Sequence, residues 1–204
     1  RNFLSWTNFV NILVATSLVG LVAIGHTYLI IAGQNDLSPG SLAAFSGVLA
    51  ALLVSQGLNL YLSFAITILA GALIGVFNAF MVNRIKLQAF IATLVTQSIV
   101  RGFAYILCDG RPIAIGDKAF IQIGRARFLD IPVAVWIMIV AFIIFGFILS
   151  KTRFGRSIYA IGGNESAARL AGLNPRRIVL LCFVMMGVMC AIGGIVFAAR
   201  MNSG

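Results

Sequence analysis

Three polar side chains interrupt an apolar run at a spacing of four, Thr93, Gln97 and Arg101, with Thr96 beside them. On a helix that spacing stacks them on one face. A row of hydroxyl, amide and guanidinium suits passage of a polyhydroxylated solute, and it suits hydrogen bonding between helices equally well. Arg101 lies about six residues, or roughly 9 Å, from the end of its run, so snorkelling to the headgroups is a second use for it. The other candidate is Asp36, the only acid before residue 109, in the segment GQNDLSPG of residues 33–40. Ser38 before Pro39 reads as the N-cap of a helix with proline in its first turn. Asp36 then sits near the positive end of a helix dipole. There it either orients a turn at the membrane face or lines and gates a pathway.

Little else in the chain offers chemistry. The single His26 has no His or Glu three or four residues away, and no metal-ligand spacing involves the cysteines. His26 shares its face with Val19, Val22 and Ile30 and reads as a structural, hydrogen-bonded histidine. Cys182 and Cys190 are roughly 12 Å apart on one helix, too far to bridge, and with Cys108 read as small hydrophobes. Intramembrane proteases and lipid transferases need Ser/His pairs, zinc motifs or paired acids. Five acids scattered mostly outside the apolar runs do not supply them, so no catalytic residue is assigned.

The elements that must position these residues are membrane spans. Sixty-one per cent of the residues are hydrophobic and ten per cent charged, with a mean hydropathy of +1.05, against an apolar content of about 45–50% in soluble domains. The net charge of +10 is not a nucleic-acid signature, because almost no water-facing surface remains to carry one. An all-α polytopic membrane protein is expected, with six spans: Phe9 to Ala32, Leu42 to about Gln56, Leu60 to Val82, Gln88 to Leu107, Ile131 to Leu149 and Ile178 to Ala199. The second is the shortest. Its Gly and Pro, and the polar Gln34, Asn35 and Asp36 before it, suggest a broken or re-entrant helix.

Orientation follows from the loop 150–177, where Lys151, Arg153, Arg156, Arg169, Arg176 and Arg177 face one acid, Glu165. That excess places it in the cytoplasm. Counting back puts residues 108–130 outside, Arg84 and Lys86 inside, Leu58 and Asn59 outside, and residues 1–8 outside. Residues 1–7 lack the features of a signal peptide. Within the loop, Asn164 is a good N-cap for a helix of about two turns, Glu165 to Ala171, stopped by Gly172 with Pro175 beyond. So short a helix cannot hold itself in water. Ala167, Ala168, Leu170 and Ala171 offer an apolar face for the cleft of a soluble subunit, or for the protein's own bundle. Gly71 and Gly75, extended by Thr67 and Ala79, form one small-residue face, and Gly187 with Gly193 and Gly194 another. The outside segment 108–130 is long enough to fold on itself and either docks an external protein or caps the bundle.

Three segments together resemble the inner-membrane permease subunits of ATP-binding-cassette importers for ribose, xylose and related monosaccharides, the ribose type most closely. Residues 88–95, QAFIATLV, followed by Arg101 and Gly102, look like the "FIATL…RG" segment of that family. Residues 155–164, GRSIYAIGGN, with 167–172, AARLAG, look like its "GR..YAiGgN..AarlsG" loop. The family's "GGIDLSVG" is similar to residues 33–40, which keep Gly33, Asp36, Leu37, Ser38 and Gly40 but carry Gln34, Asn35 and Pro39 in place of Gly, Ile and Val. That departure bears on loop geometry and on the solute. The resemblance covers nearly the whole chain, without the family's first span and last portion, and a start at Arg1 rather than Met agrees with a piece of a longer protein.

The resemblance implies a type II importer fold, of which residues 1–204 are one partial transmembrane domain. It implies a bacterial inner-membrane location, a second permease copy, cytoplasmic ATPase subunits that bind the ATP, and an external sugar-binding protein. The chain itself would need no cofactor. A short cytoplasmic helix couples the ATPases to the pathway in such importers. The matching residues here are Gly163, Asn164, Glu165, Ala168, Arg169, Leu170 and Gly172. Asp36, Ser38, Thr93, Gln97 and Arg101 are the pathway candidates. An ion-coupled secondary transporter is the alternative, and it would need acids or histidines within the spans.

Overall fold

In the computed structural model, which describes residues 5–204, each expected span is a helix. They are α1 (Trp6–Ile31), α2 (Pro39–Ser55), α3 (Leu60–Phe80), α4 (Ala89–Leu107), α6 (Val133–Lys151) and α9 (Pro175–Met201). Between them lie α5 (Lys118–Arg125), a two-stranded antiparallel hairpin β1 (Arg127–Phe128) and β2 (Ile131–Pro132), α7 (Arg153–Gly163) and α8 (Glu165–Leu170). Five helices among the described residues are long and apolar enough to cross a membrane, and α2, at 17 residues, is the shorter sixth. The expected break in the second span is absent: α2 is one continuous helix. The irregularity sits before it, in residues 34–38, which belong to no helix or strand, and Pro39 is tolerated in the first turn of α2 because an N–H there would have no partner within the helix. The outside placement of residues 1–8 and the signal-peptide reading of residues 1–7 fall partly on residues 1–4, outside the described residues.

The core is α9. Two thirds of its apolar window is buried, against a third or less in every other long helix, and α1, α2, α3 and α5 all pack on it. Small residues make this possible. A Cβ at Gly71 of α3 would stand 2.6 Å from the Gly187 carbonyl oxygen of α9, and Gly75 meets the Phe183 carbonyl in the same way. On another side of α9, Gly194 closes on the Ala43 carbonyl of α2, and a Cβ at Gly47 would be 3.1 Å from the Gly194 oxygen. The two glycine faces legible in sequence therefore pair with each other, and the second reaches α2 as well. Lipid supplies no hydrophobic drive for helices to associate, so backbone approach of this kind carries much of the cohesion.

Segment 108–130 folds onto the end of the bundle. Asp117 caps α5, its Oδ1 accepting from the Phe120 amide at 2.7 Å, and the fully buried Phe120 packs edge-on to Phe64. Ile113 and Gly204 exchange backbone hydrogen bonds, and the Ile115 amide donates to the Asn202 carbonyl. Of its two sequence readings, capping is the one that the packing of α5 on α9 realises.

Candidate functional site

The segment that joins α1 to α2 is buried at the centre of a polar network. Asp36 is 2% exposed and Ser38 fully buried. The Asp36 Oδ1 accepts from the Ser38 amide at 2.7 Å and from the Ser38 hydroxyl at 2.6 Å. Ser38 Oγ in turn accepts from Asn78 Nδ2 at 3.3 Å, and Asn78 Oδ1 accepts from the Thr96 hydroxyl at 2.6 Å. Donors and acceptors alternate from Thr96 on α4, through Asn78 on α3, to Asp36. A second tie comes from Thr93, whose Oγ1 accepts from the Leu37 amide at 3.0 Å. Burial pushes the Asp36 carboxyl above its ordinary range, while the two hydrogen bonds from Ser38 and the charge of His26 pull it down.

Three sequence expectations change here. Ser38 occupies the N-cap position of α2, but its side chain makes no cap bond. The hydroxyl is turned instead to the buried network, where it donates to Asp36 Oδ1 and its oxygen accepts from Asn78 Nδ2 rather than from the first turn of α2. The row Thr93, Gln97 and Arg101 does not keep one environment: Thr93 is buried, Gln97 half-buried and Arg101 exposed. Each step of four turns about 40° beyond a full revolution, so eight residues swing the row by about 80° from the bundle interior outward. His26, expected to be hydrogen-bonded, is half-buried and forms no side-chain hydrogen bond among the described residues.

Asn78 was not singled out in sequence, although it is the hinge of the network. Its signal was available: a lone amide inside the apolar run 60–82 must find partners or face a large desolvation cost.

Beside this network lies a cavity of about 450 Å³ whose lining includes Gln34, Asn35, Asn83, Gln88, Glu165 and Arg176. Gln34 and Asn35, two of the residues that depart from the resembled pattern, thus face a polar space that ends at α8. Asn83 Nδ2 donates to the Arg176 carbonyl at 2.8 Å and ties the π-helical turn Met81–Ile85 that ends α3 to the start of α9.

The basic loop folds as two helices, of which α7 was not foreseen. Thr152 caps it, Oγ1 accepting from the Gly155 amide at 3.2 Å, and Gly155, Ile158 and Ile161 are buried. That cap and spacing were readable. α8 follows as expected: Asn164 Oδ1 accepts from the Ala167 amide at 2.9 Å, and Gly172 ends the turn at a φ of +84°, a conformation that favours glycine. Arg169 Nη2 meets Glu165 Oε1 at 2.6 Å in an exposed pair. Ala168 corrects the outward face drawn from sequence. It is buried and seats α8 on the bundle, because a six-residue helix exists only when one side is supported. Ala167 and Ala171 remain exposed, and Leu170 is 92% exposed. Gly163 is exposed and a Cβ there would meet nothing, whereas Gly162 abuts the Ile31 carbonyl at the end of α1.

Apolar helices around α9, joined by a basic helical loop at one end, define a helical multi-pass membrane protein. Residues 8–204 match the family model described as branched-chain amino acid transport system / permease component, and the chain belongs to that permease family.

Among characterised proteins, the chain is similar to the ribose import permease protein RbsC of Haemophilus influenzae, 41% identical over 99% of this chain and 64% of the relative. It is also 41% identical to the L-arabinose transport system permease protein AraH of Escherichia coli, over 100% of this chain and 62% of the relative. The RbsC of Escherichia coli is 37% identical over 99% and 64%. The chain therefore spans less than two thirds of the length of these relatives. No solved structure gives a significant match.

Proposed function

We propose that this chain is membrane-spanning machinery of an ATP-driven importer for a monosaccharide, ribose-like or a related sugar, in the bacterial inner membrane. Similarity along the whole chain to permeases named for ribose and arabinose supports the solute class. The observation that carries the mechanism is α8, a capped two-turn helix with Leu170 held out from the bundle.

In this reading ATP is bound and hydrolysed by separate cytoplasmic ATPase subunits, one of which receives Leu170 and the exposed side of α8. An external sugar-binding protein delivers the solute, and a second permease copy completes the pathway. Residues 1–204 act as one partial transmembrane domain, with 150–177 as its coupling loop. Glu165, the first residue of α8, also lines the polar cavity shared with Gln34 and Asn35. A shift of α8 on ATPase closure therefore reaches the segment whose next residue is Asp36. Asp36, Ser38 and Thr93 would act by locking that segment to α3 and α4, whereas Gln97 and Arg101, on the uncovered side of α4, remain open to solute.

Replacing Glu165 and Arg169 together by bulky apolar residues should abolish ATP-driven sugar uptake in proteoliposomes and leave membrane insertion intact. Unchanged uptake would overturn the coupling role. Uptake that persists without ATP under an imposed proton gradient would favour the ion-coupled alternative.

A further inference from the structure

Glu165 is the only acid in residues 131–204, and residues 37–108 contain none. It pairs with Arg169 on its own helix, and both side chains are more than half exposed. A surface pair of that kind is worth little, so the carboxylate is only weakly held where it is. The polar cavity that Glu165 borders offers other partners, because Lys86 and Arg176 line the same space. Neither of these side chains has a hydrogen bond or an ion pair among the described residues. Asp36, next to Asn35 of the lining, is buried and already engaged by Ser38. One mobile carboxylate therefore serves a cavity wall that carries two unpaired cations.

Of the two cations, Lys86 is the one on a different element. Arg176 belongs to α9, against which α8 already packs, whereas Lys86 lies in the turn between α3 and α4. Its backbone is left-handed, at a φ of +68°, a conformation that a residue with a side chain keeps only where the surrounding structure imposes it. It closes the π-helical turn Met81–Ile85, a rare form of helix that concentrates at functional sites. The bond from Asn83 to the Arg176 carbonyl holds that turn beside the start of α9, so the two sides of the cavity stay together. α8 is seated more loosely. Ala168 is its one buried residue, and a Cβ at Gly163 before it or Gly172 after it would meet nothing within 4 Å. A short helix between two such residues turns with little resistance, and the flexible four-carbon stem of Lys86 spans the rest.

We propose that Glu165 exchanges Arg169 for Lys86 as α8 moves, so that an ion pair within one helix becomes a strap from α8 to the α3–α4 turn. Lys86 is then a positioning residue. Through it a movement of α8 passes to α4, whose Thr93 and Thr96 bond Leu37 and Asn78. A pair across the cavity is less screened by water than one on the surface, which favours the exchange once the cavity narrows. The exchange takes its driving force from the reading of α8 as the ATPase-coupling helix, and its geometry from residues of this chain alone.

The test is cross-linking of the full-length protein in inside-out membrane vesicles with a carbodiimide, which joins a carboxylate to a lysine amine in contact with it and leaves guanidinium groups unreacted. Peptide mass spectrometry reads the product. An amide between Glu165 and Lys86 should form in low yield in the wild type and severalfold more in Arg169→Ala, where the competing partner is gone. Lys86→Glu alone should abolish it, and Lys86→Glu combined with Glu165→Lys should restore a link between the two positions. No such link in Arg169→Ala, or one from Glu165 to Lys151 in its place, overturns the proposal. With the partner ATPase present, ATP and vanadate should raise the wild-type yield severalfold. An unchanged yield beside a strong link in Arg169→Ala overturns the coupling reading and leaves the ion-pair exchange standing.

Discussion

Asn78 and Thr96 face each other across the α3–α4 contact, with the Thr96 hydroxyl 2.6 Å from Asn78 Oδ1. The same Asn78 reaches Ser38 through its amino group, so one side chain joins three helical elements. Both partners are buried, and water cannot replace it.

Asn78→Leu should therefore destabilise the protein by about 1–2 kcal/mol, within the range of buried polar ties between membrane helices. Thermal unfolding in detergent would read this as a lower midpoint. A midpoint equal to that of the wild type would mean that Ser38 and Thr96 satisfy one another without it.

Asp36 tests the electrostatics of the same network. A carboxyl whose folded pKa is raised stabilises the fold most below its unfolded pKa, and that contribution is lost as the pH rises through the folded value. Asp36→Asn keeps an oxygen acceptor for Ser38 and cannot ionise. Its unfolding midpoint should match the wild type at pH 4 and equal or exceed it at pH 8, measured on a single detergent preparation. Asp36→Leu, which leaves the Ser38 amide and hydroxyl unpaired, should fall below the wild type at both.

Glycine at the α3–α9 contact has no substitute. Gly71→Val would drive a side chain into the Gly187 carbonyl and should cost about 1–3 kcal/mol or more, seen as loss of monodisperse protein on size-exclusion chromatography. Gly102→Ala on α4 meets nothing within 4 Å. It should be tolerated and stabilise its helix by about 0.5–1 kcal/mol.

The exposed Glu165–Arg169 pair contributes about 0.3–0.5 kcal/mol, so Glu165→Gln should barely move the unfolding midpoint. Leu170→Ser, at a side chain that touches almost nothing in the protein, should likewise leave stability unchanged. If α8 docks an ATPase, Leu170→Ser should nevertheless abolish ATP-driven uptake in the reconstituted complex. Full uptake with Leu170→Ser would place the docking surface elsewhere.

Local, periodic signals were legible in the chain alone. Apolar runs located the spans to within about three residues because a helix in lipid must satisfy its own backbone and meet a fixed thickness. Asn164 and Gly172 bounded α8 because caps act over a single turn. Thr152 and the spacing of Ile158 and Ile161 carried the same kind of signal for α7. The glycines of α3 and α9 announced close packing without naming their partners.

Tertiary structure decided what depends on which helix lies beside which. It set α9 at the centre and brought Gly71 against Gly187. It turned Thr93 inward and Arg101 outward along one row, turned Ala168 to the bundle and Leu170 away, and made Asn78 the junction between Ser38 and Thr96. Spacing defines a helix face only to within the drift of the helix, and a polar side chain has no partner until another helix supplies one. That is why the span pattern could be read from the sequence, and the joining of Asp36 to α4 through Asn78 and Thr96 could not.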